Sequence, residues 1–277
     1  MANIKRVVFF VSDSTGITAE TFGHSLLTQF EHIDFDIRVL RYVDNMEKAK
    51  QACQAIENVV ASEPQRPLVF STLIDSAVRD LIAASGGVWF DLFDTFISPL
   101  QRELHQSPSH TTGRTHGVID DSDYTARIDA INFTMANDDG ISTRHYPEAD
   151  IVLVGVSRTG KTPTCLYLAL HYGVYAANYP LTEDDLLETR LPVGLKAYRD
   201  KLFGLTISAD RLHRIRSQRR PASHYASLGQ CRLEISQAED LFHSSQIPAL
   251  NTTTMSVEEI ATTIMSRTGL AALSALA

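Results

Sequence analysis

The sequence predicts an α/β protein built as two domains, and three observations predict it. Short β-branched or aromatic runs alternate with amphipathic stretches at helical spacing, the pattern of parallel strands joined by crossover helices. The 277 residues, 44% hydrophobic and 21% charged, hold enough apolar material for one large core or two modest ones. Between residues 106 and 123 the composition turns to Ser, Pro, Thr, His, Gly and Asp, which reads as a linker or functional loop. The predicted division is therefore a first domain over 1–105, the linker 106–123, and a second domain over 124–277.

In the first domain Arg6 to Val11 reads as a buried strand, followed by the polar turn Ser12-Asp13-Ser14-Thr15-Gly16 and a helix to about Phe30. Phe35 to Tyr42 alternates as a strand, Met46 to Ala61 as an amphipathic helix, Pro67 to Thr72 as a strand and Ile74 to Ala84 as a helix. Val88 to Phe93 adds a short apolar segment and Ile97 to Leu104 a further helix. This βαβα order is Rossmann-like and implies a parallel sheet. The lack of G-x-G-x-x-G argues against a dinucleotide there. Strand ends that open into polar loops are where α/β sheets place ligands. Ser12, Asp13, Ser14, Thr15 and Gly16 are thus candidates for holding a phosphate group. A plain helix cap, with Thr18 or Ser14 as N-cap, accounts for the same residues.

Within the linker, Arg114-Thr115-His116-Gly117 sets a guanidinium and an imidazole side by side. Arg114 suits phosphate and His116 suits proton transfer, although an incidental histidine on a solvated loop fits equally. Tyr124 to Ala136 then reads as an amphipathic helix with Ile128, Ile131 and Met135 on one face, closing at Asn137-Asp138-Asp139-Gly140. Two acids at a helix C-terminus oppose the macrodipole, so helix stability gives no reason for them. They would bind Mg²⁺ through water or accept a hydroxyl proton; an Asp-Gly turn that merely stops the helix is the competing account.

The sharpest pattern follows. Ile151 to Val154 reads as a buried strand, and Gly155-Val156-Ser157-Arg158-Thr159-Gly160-Lys161-Thr162 matches G-x-x-x-x-G-K-[ST] before an apolar helix, Thr164 to Tyr172. The pattern has a mechanism: glycines let the backbone wrap a phosphate, and successive N–H groups with the positive helix end hold it. Lys161 would reach the outermost phosphates, and the Thr162 hydroxyl would sit on Mg²⁺. Further on, Tyr175 to Tyr179 reads as a strand, Asp184 to Thr189 as a helix start and Phe203 to Ile207 as a strand. No apolar run ends in the Asp of a Walker B strand; Asp210 is the nearest imitation. Arg211, Arg214, Arg216, Arg219 and Arg220 form a charge run, either a mobile lid that clamps phosphates or receives an acidic partner, or a solvated basic helix. Ser256 to Met265 reads as a final helix with a capping box from Ser256 to Glu259.

A net charge of −8 argues against nucleic acid as a partner. Cys53, Cys165 and Cys231 lie far apart with no C-x-x-C pair, so neither a disulfide framework nor a zinc site is indicated, and the compartment implied is reducing cytosol. The N-terminal apolar run, five residues from Val7 to Val11, is too short for a signal sequence, and no run approaches a membrane span.

Taken together, Ser12 to Gly16, Arg114 to Gly117, Ala130 to Thr134 with Asp138-Asp139-Gly140, and Gly155 to Thr164 resemble the bacterial and plant pyruvate,phosphate dikinase regulatory proteins. The resemblance continues through Lys201 to Ile207 and Tyr225 to Leu228, and points to the proteobacterial branch that acts on phosphoenolpyruvate synthase. It implies a dimeric, cytoplasmic serine/threonine enzyme with an N-terminal α/β domain and a C-terminal P-loop kinase-like α/β domain. In one direction it would pass the β-phosphate of ADP to a threonine of phosphoenolpyruvate synthase; in the other, inorganic phosphate would attack the phosphothreonine and pyrophosphate would leave. On that reading Lys161 and the loop amides hold the transferred phosphate, Thr162 carries Mg²⁺, and Asp138 or Asp139, with His116 as a second candidate, activates the acceptor. The same activity on pyruvate,phosphate dikinase, an ATP-dependent small-molecule P-loop kinase, and a nucleotide-sensing module without catalysis stand as alternatives.

Overall fold

The computed structural model describes residues 4–109, 121–140, 143–188, 190–221 and 223–270. The chain divides into two compact units, Met1–Val118 and Ile119–Ala277. In the first, β1 (Ile4–Val11), α1 (Ile17–Leu27), β2 (Ile33–Leu40), α2 (Met46–Ser62), β3 (Leu68–Ser71), α3 (Ser76–Ala83), β4 (Val88–Asp91) and α4 (Asp94–Leu104) follow in order. The four strands pair in parallel as β2-β1-β3-β4. Val7 to Val11 are all buried because helices cover both faces of β1. Val7, Phe9 and Val11 pack with Ala49, Ile56, Val78 and Ile82 of α2 and α3, while Val8 and Phe10 pack with Ala19 and Leu27 of α1.

Two local expectations change here. Helix α1 is entered through Gly16, in the left-handed region at φ 80°, with no side-chain cap from Thr18 or Ser14, and it ends at Leu27 rather than near Phe30. Helix α4 begins three residues earlier than its apolar pattern suggests, at Asp94. The Asp91 carboxylate draws the start back by accepting the N–H groups of Phe93 and Asp94 at 3.1 and 2.7 Å.

The second unit runs α5 (Asp121–Ala136), β5 (Ile151–Gly155), α6 (Lys161–Tyr172), β6 (Ala176–Pro180), α7 (Glu183–Leu187), β7 (Leu202–Thr206), α8 (Ala209–Arg219), α9 (Leu228–Ser244), β8 (Ala249–Asn251) and α10 (Val257–Thr268). Its strands are again parallel, in the order β6-β5-β7-β8. Alternation along β5 divides two cores: Val152 and Val154 face Leu212, Ala238 and Phe242, and Ile151 and Leu153 face Leu168, Ile260 and Ile264. The chain leaves β5 for β6 on one side and returns to β7 on the other, so the carboxyl end of β5 lies at a topological switch point.

Helix α5 is where the sequence reading picks the wrong face. Apolar residues lie all round it; the structure buries Ala130 and Phe133, with Phe133 stacked 5.0 Å from Tyr175, and leaves Ile128 and Met135 exposed. The Ser256 capping box is present, each half satisfied. Helix α9 buries one apolar stripe, with Cys231, Ile235, Ala238, Leu241 and Phe242 covered. Replacing Phe242, 2% exposed in that stripe, by Ala should cost the second unit about 3–5 kcal/mol through lost burial and an unfilled cavity. A lowered onset of thermal unfolding by far-UV circular dichroism would register this.

Candidate active site

The loop between β5 and α6 is set by two close constraints. A Cβ on Gly155 would lie 2.3 Å from the Leu205 carbonyl oxygen on neighbouring β7, a contact no side-chain rotation can relieve. Gly160 caps α6 at φ 93°, which disfavours any residue with a Cβ. Between them Thr159 is buried, its hydroxyl donating to the Val156 carbonyl at 3.1 Å. The Thr252 hydroxyl sits 3.1 Å from both the Thr159 and Thr206 carbonyls, tying the loop to the ends of β7 and β8. Outside helices and strands, none of the backbone hydrogen bonds among the described residues uses the N–H of Ser157, Arg158, Gly160, Lys161 or Thr162 as donor. Amides left free in this way at the N-terminus of a 12-residue helix form a cradle suited to an anion.

Lys161 lies inside this cradle, 5% exposed, its Nζ donating to the carbonyls of Gly155 and Val156 at 2.8 and 2.9 Å. Burial pushes its pKa down to about 8; Asp139 and Asp138 oppose that shift and Arg216 adds to it.

The carboxylate beside the loop comes from the end of α5. Asp138 Oδ1 accepts the Thr162 hydroxyl at 3.0 Å and also the Asn178 side-chain amide, whose nitrogen lies 3.2 Å from Thr162 Oγ1. Asn178, buried on β6, is held by its backbone: its carbonyl accepts the Tyr146 hydroxyl at 3.1 Å and its N–H donates to the Asn137 carbonyl at 3.3 Å. Asp139 follows in the left-handed region at φ 57°, exposed, and acts on Lys161 through its charge. Asp210 is exposed in the first turn of α8. A hydroxyl and a carboxylate oxygen 3.0 Å apart are hard donors of the type Mg²⁺ accepts alongside phosphate oxygens and water.

The arginine run resolves into two kinds of residue. Arg216 is 1% exposed and therefore belongs neither to a lid nor to a solvated face. Its Nη2 donates to Glu234 Oε2 at 2.6 Å and to the Ser157 carbonyl at 3.2 Å, its Nη1 donates to the Tyr225 carbonyl at 3.0 Å, and the guanidinium lies 3.9 Å over the Tyr225 ring. Arg211, Arg214, Arg219 and Arg220 are exposed.

Ser12, Ser14, Thr15 and Gly16 lie in the other compact unit, at the end of β1. There the Ser12 hydroxyl accepts the Ser14 N–H at 3.2 Å, the Asp13 carboxylate accepts the Ile74 N–H at 3.3 Å, and the Thr15 carbonyl accepts from Arg41 at 2.9 Å. Arg114 and His116 lie outside the described residues. Sequence reasoning does not single out Asn178, Glu234 or Thr252. Only Asn178 leaves a signal, as a polar residue in the run Ala176-Ala177-Asn178 of a strand buried there on both faces.

The Kinase/pyrophosphorylase family profile matches residues 8–265 of this chain. The chain belongs to that family. It is 54% identical to a protein of Alkalilimnicola ehrlichii over 96% of both chains, and 50% identical to one of Hahella chejuensis over 96% of this chain and 98% of the relative. A third relative, from Legionella pneumophila, is 51% identical over the same shares, 96% and 98%. All three carry the provisional name phosphoenolpyruvate synthase regulatory protein.

The buried Arg216–Glu234 pair joins the loop to α9. Glu234→Ala should destabilise the second unit by about 3–5 kcal/mol, because an unpaired guanidinium is left buried. Arg216→Met combined with Glu234→Leu should recover most of that loss in denaturant unfolding, and a double variant no better than the single one would contradict the account.

Proposed function

We propose that this protein is a bifunctional serine/threonine kinase and phosphorylase that regulates phosphoenolpyruvate synthase in the cytoplasm, acting as a homodimer. With ADP as donor it transfers the β-phosphoryl group to a threonine hydroxyl of that enzyme and releases AMP, inactivating it. In the opposite direction inorganic phosphate attacks the phosphothreonine, the threonine hydroxyl is restored and pyrophosphate leaves. The observation that carries the reading is the junction at which the amide cradle, Lys161, Thr162 and Asp138 meet, since phosphoryl transfer asks mainly for positioning and charge neutralisation. The family and the names of its relatives supply the target.

Each residue has a role. Amides from Ser157 to Thr162 hold the phosphate chain, Lys161 swings from the Gly155 and Val156 carbonyls to its oxygens, and Thr162 with Asp138 holds Mg²⁺, which supplies charge neutralisation when bound. Asp138 is already engaged by two donors, which leaves exposed Asp139 as the candidate to accept the proton of the attacking threonine. Arg114, His116 and the Ser12 to Gly16 loop remain candidates for contact with phosphate or with the target.

The reading is tested by mass spectrometry of phosphoenolpyruvate synthase incubated with this protein and ADP or ATP. Threonine phosphorylation with ADP and release of AMP is expected; modification of a small metabolite by ATP instead would replace the proposal with an ordinary P-loop kinase. Lys161→Ala should abolish both directions, because both need the same charge on the transferred group. Normal turnover in either direction would separate the two sites. A pH titration adds an independent check. With its pKa at about 8 in the free protein, Lys161 loses its proton above that pH, whereas a bound phosphate favours the charged form, so binding there takes up a proton. ADP affinity measured by calorimetry should fall by up to about tenfold per pH unit above pH 8, and Lys161→Met should remove that fall.

A further inference from the structure

Beside the loop lies a recess of about 480 Å³ lined by Ser157, Arg158, Arg216, Arg219, Arg220 and Tyr225. Four of the six are arginines, no carboxylate lines it, and neither Lys161 nor Thr162 does. The four cations are not equivalent. Arg216 is neutralised by Glu234 and fixed by the carbonyls of Ser157 and Tyr225, so it builds the wall. Arg158, Arg219 and Arg220 are exposed and enter no ion pair among the described residues. Arg158 belongs to the phosphate loop itself and holds φ 81°, a left-handed backbone conformation uncommon for a residue with a side chain. Three unpaired guanidinium groups around one concavity repel one another, and an oxyanion between them converts that repulsion into charge-assisted hydrogen bonds.

We infer that this recess is a second oxyanion subsite, taking a tetrahedral phosphate group distinct from the nucleotide phosphate that the amide cradle holds. The inference rests on the proposed function, where it meets a need. The phosphate-dependent direction brings two phosphoryl groups together, one free and one on the target threonine, and a single cradle with one lysine neutralises only part of that charge. The recess shares the Ser157–Arg158 edge with the cradle, which places the two anions as neighbours. Its volume admits a phosphate still attached to a side chain as well as a free one.

The test uses the whole chain with Arg219→Gln and Arg220→Gln combined, both positions exposed so that folding is retained; circular dichroism verifies this, and each of the two substitutions made singly serves as a further variant. Three quantities are compared with the parent: the calorimetric Kd for ADP, the KM for inorganic phosphate, and the KM for the phosphorylated target protein in the dephosphorylation assay. The expected result is a rise of about tenfold or more in one of the two KM values, with the ADP Kd changed by less than about twofold because the cradle is intact. A rise confined to phosphate assigns the recess to the free anion, and a rise confined to the phosphoprotein assigns it to phosphothreonine. A loss of ADP affinity as large as the KM effect would make the recess part of the nucleotide's own site and overturn the proposal, as would no change in any of the three. Should the parent show no phosphate-dependent turnover at all, the proposed function fails instead. The subsite is then judged by the Kd for inorganic phosphate in the presence of ADP, which the double variant must weaken by the same factor.

Discussion

Asp138 accepts hydrogen bonds from Thr162 and Asn178 together, and that junction depends on most of the second unit. Thr162 is placed by the first turn of α6, Asn178 by β6, and Asp138 by the end of α5, so three elements converge on one carboxylate oxygen. The convergence explains a feature that puzzles at first sight. The strand beside the loop strand, β7, ends at Thr206 and runs on through Ile207 and Ser208 with no acid, because the acid that meets the loop hydroxyl arrives from the turn after α5, which precedes the loop in the chain. The Asp138-Asp139-Gly140 turn therefore does two things that the sequence reading sets against each other. It stops α5, with Asp139 and Gly140 both at positive φ, and it delivers a carboxylate to the site.

The positive charges of the site form a graded series. Lys161 is buried among carbonyls, and its lowered pKa records the cost of holding that charge away from water. Arg216 is buried more completely but carries its counter-charge in Glu234, so it acts as a tie between the loop, the turn at Tyr225 and α9. Arg158, Arg219 and Arg220 keep their charge in reach of solvent. One fixed cation thus organises the wall against which the others can meet an anion. A sequence shows five arginines in ten residues; only packing shows that one of them is a structural bolt.

Legibility in the sequence follows the range of the interactions concerned. Strands buried on both faces, such as Val7 to Val11 and Ile151 to Val154, announce themselves as continuous apolar runs, and the loop from Gly155 to Thr162 by its glycine spacing, because both are written in neighbouring residues. The face of α5 is misread since its apolar residues surround the helix, and its packing against α6 and β6, with Tyr175 stacked on Phe133, decides which side is covered. Asn178 meets Thr162 across 16 positions and Asp138 across 40, and Thr252 reaches Thr159 across 93. Contacts of that kind have no periodicity to reveal them.

The two compact units share a plan that sharpens the point. Each places its first strand inside a parallel sheet, with strand orders β2-β1-β3-β4 and β6-β5-β7-β8, and each enters the following helix through a left-handed glycine, Gly16 or Gly160. Topology alone would mark both loops equally. Their hydrogen bonds differ. In the first unit the Ser12 and Asp13 side chains already accept backbone N–H groups, at Ser14 and Ile74, and the Thr15 carbonyl is occupied by Arg41, itself paired with Glu20. In the second, the loop's side-chain and carbonyl partners hold it in place while most of its amides stay unclaimed and a lysine lies within it. A fold supplies the position at the end of a central strand. Chemistry enters through the groups that the local structure does not use up, and in this protein those groups are concentrated between Ser157 and Thr162.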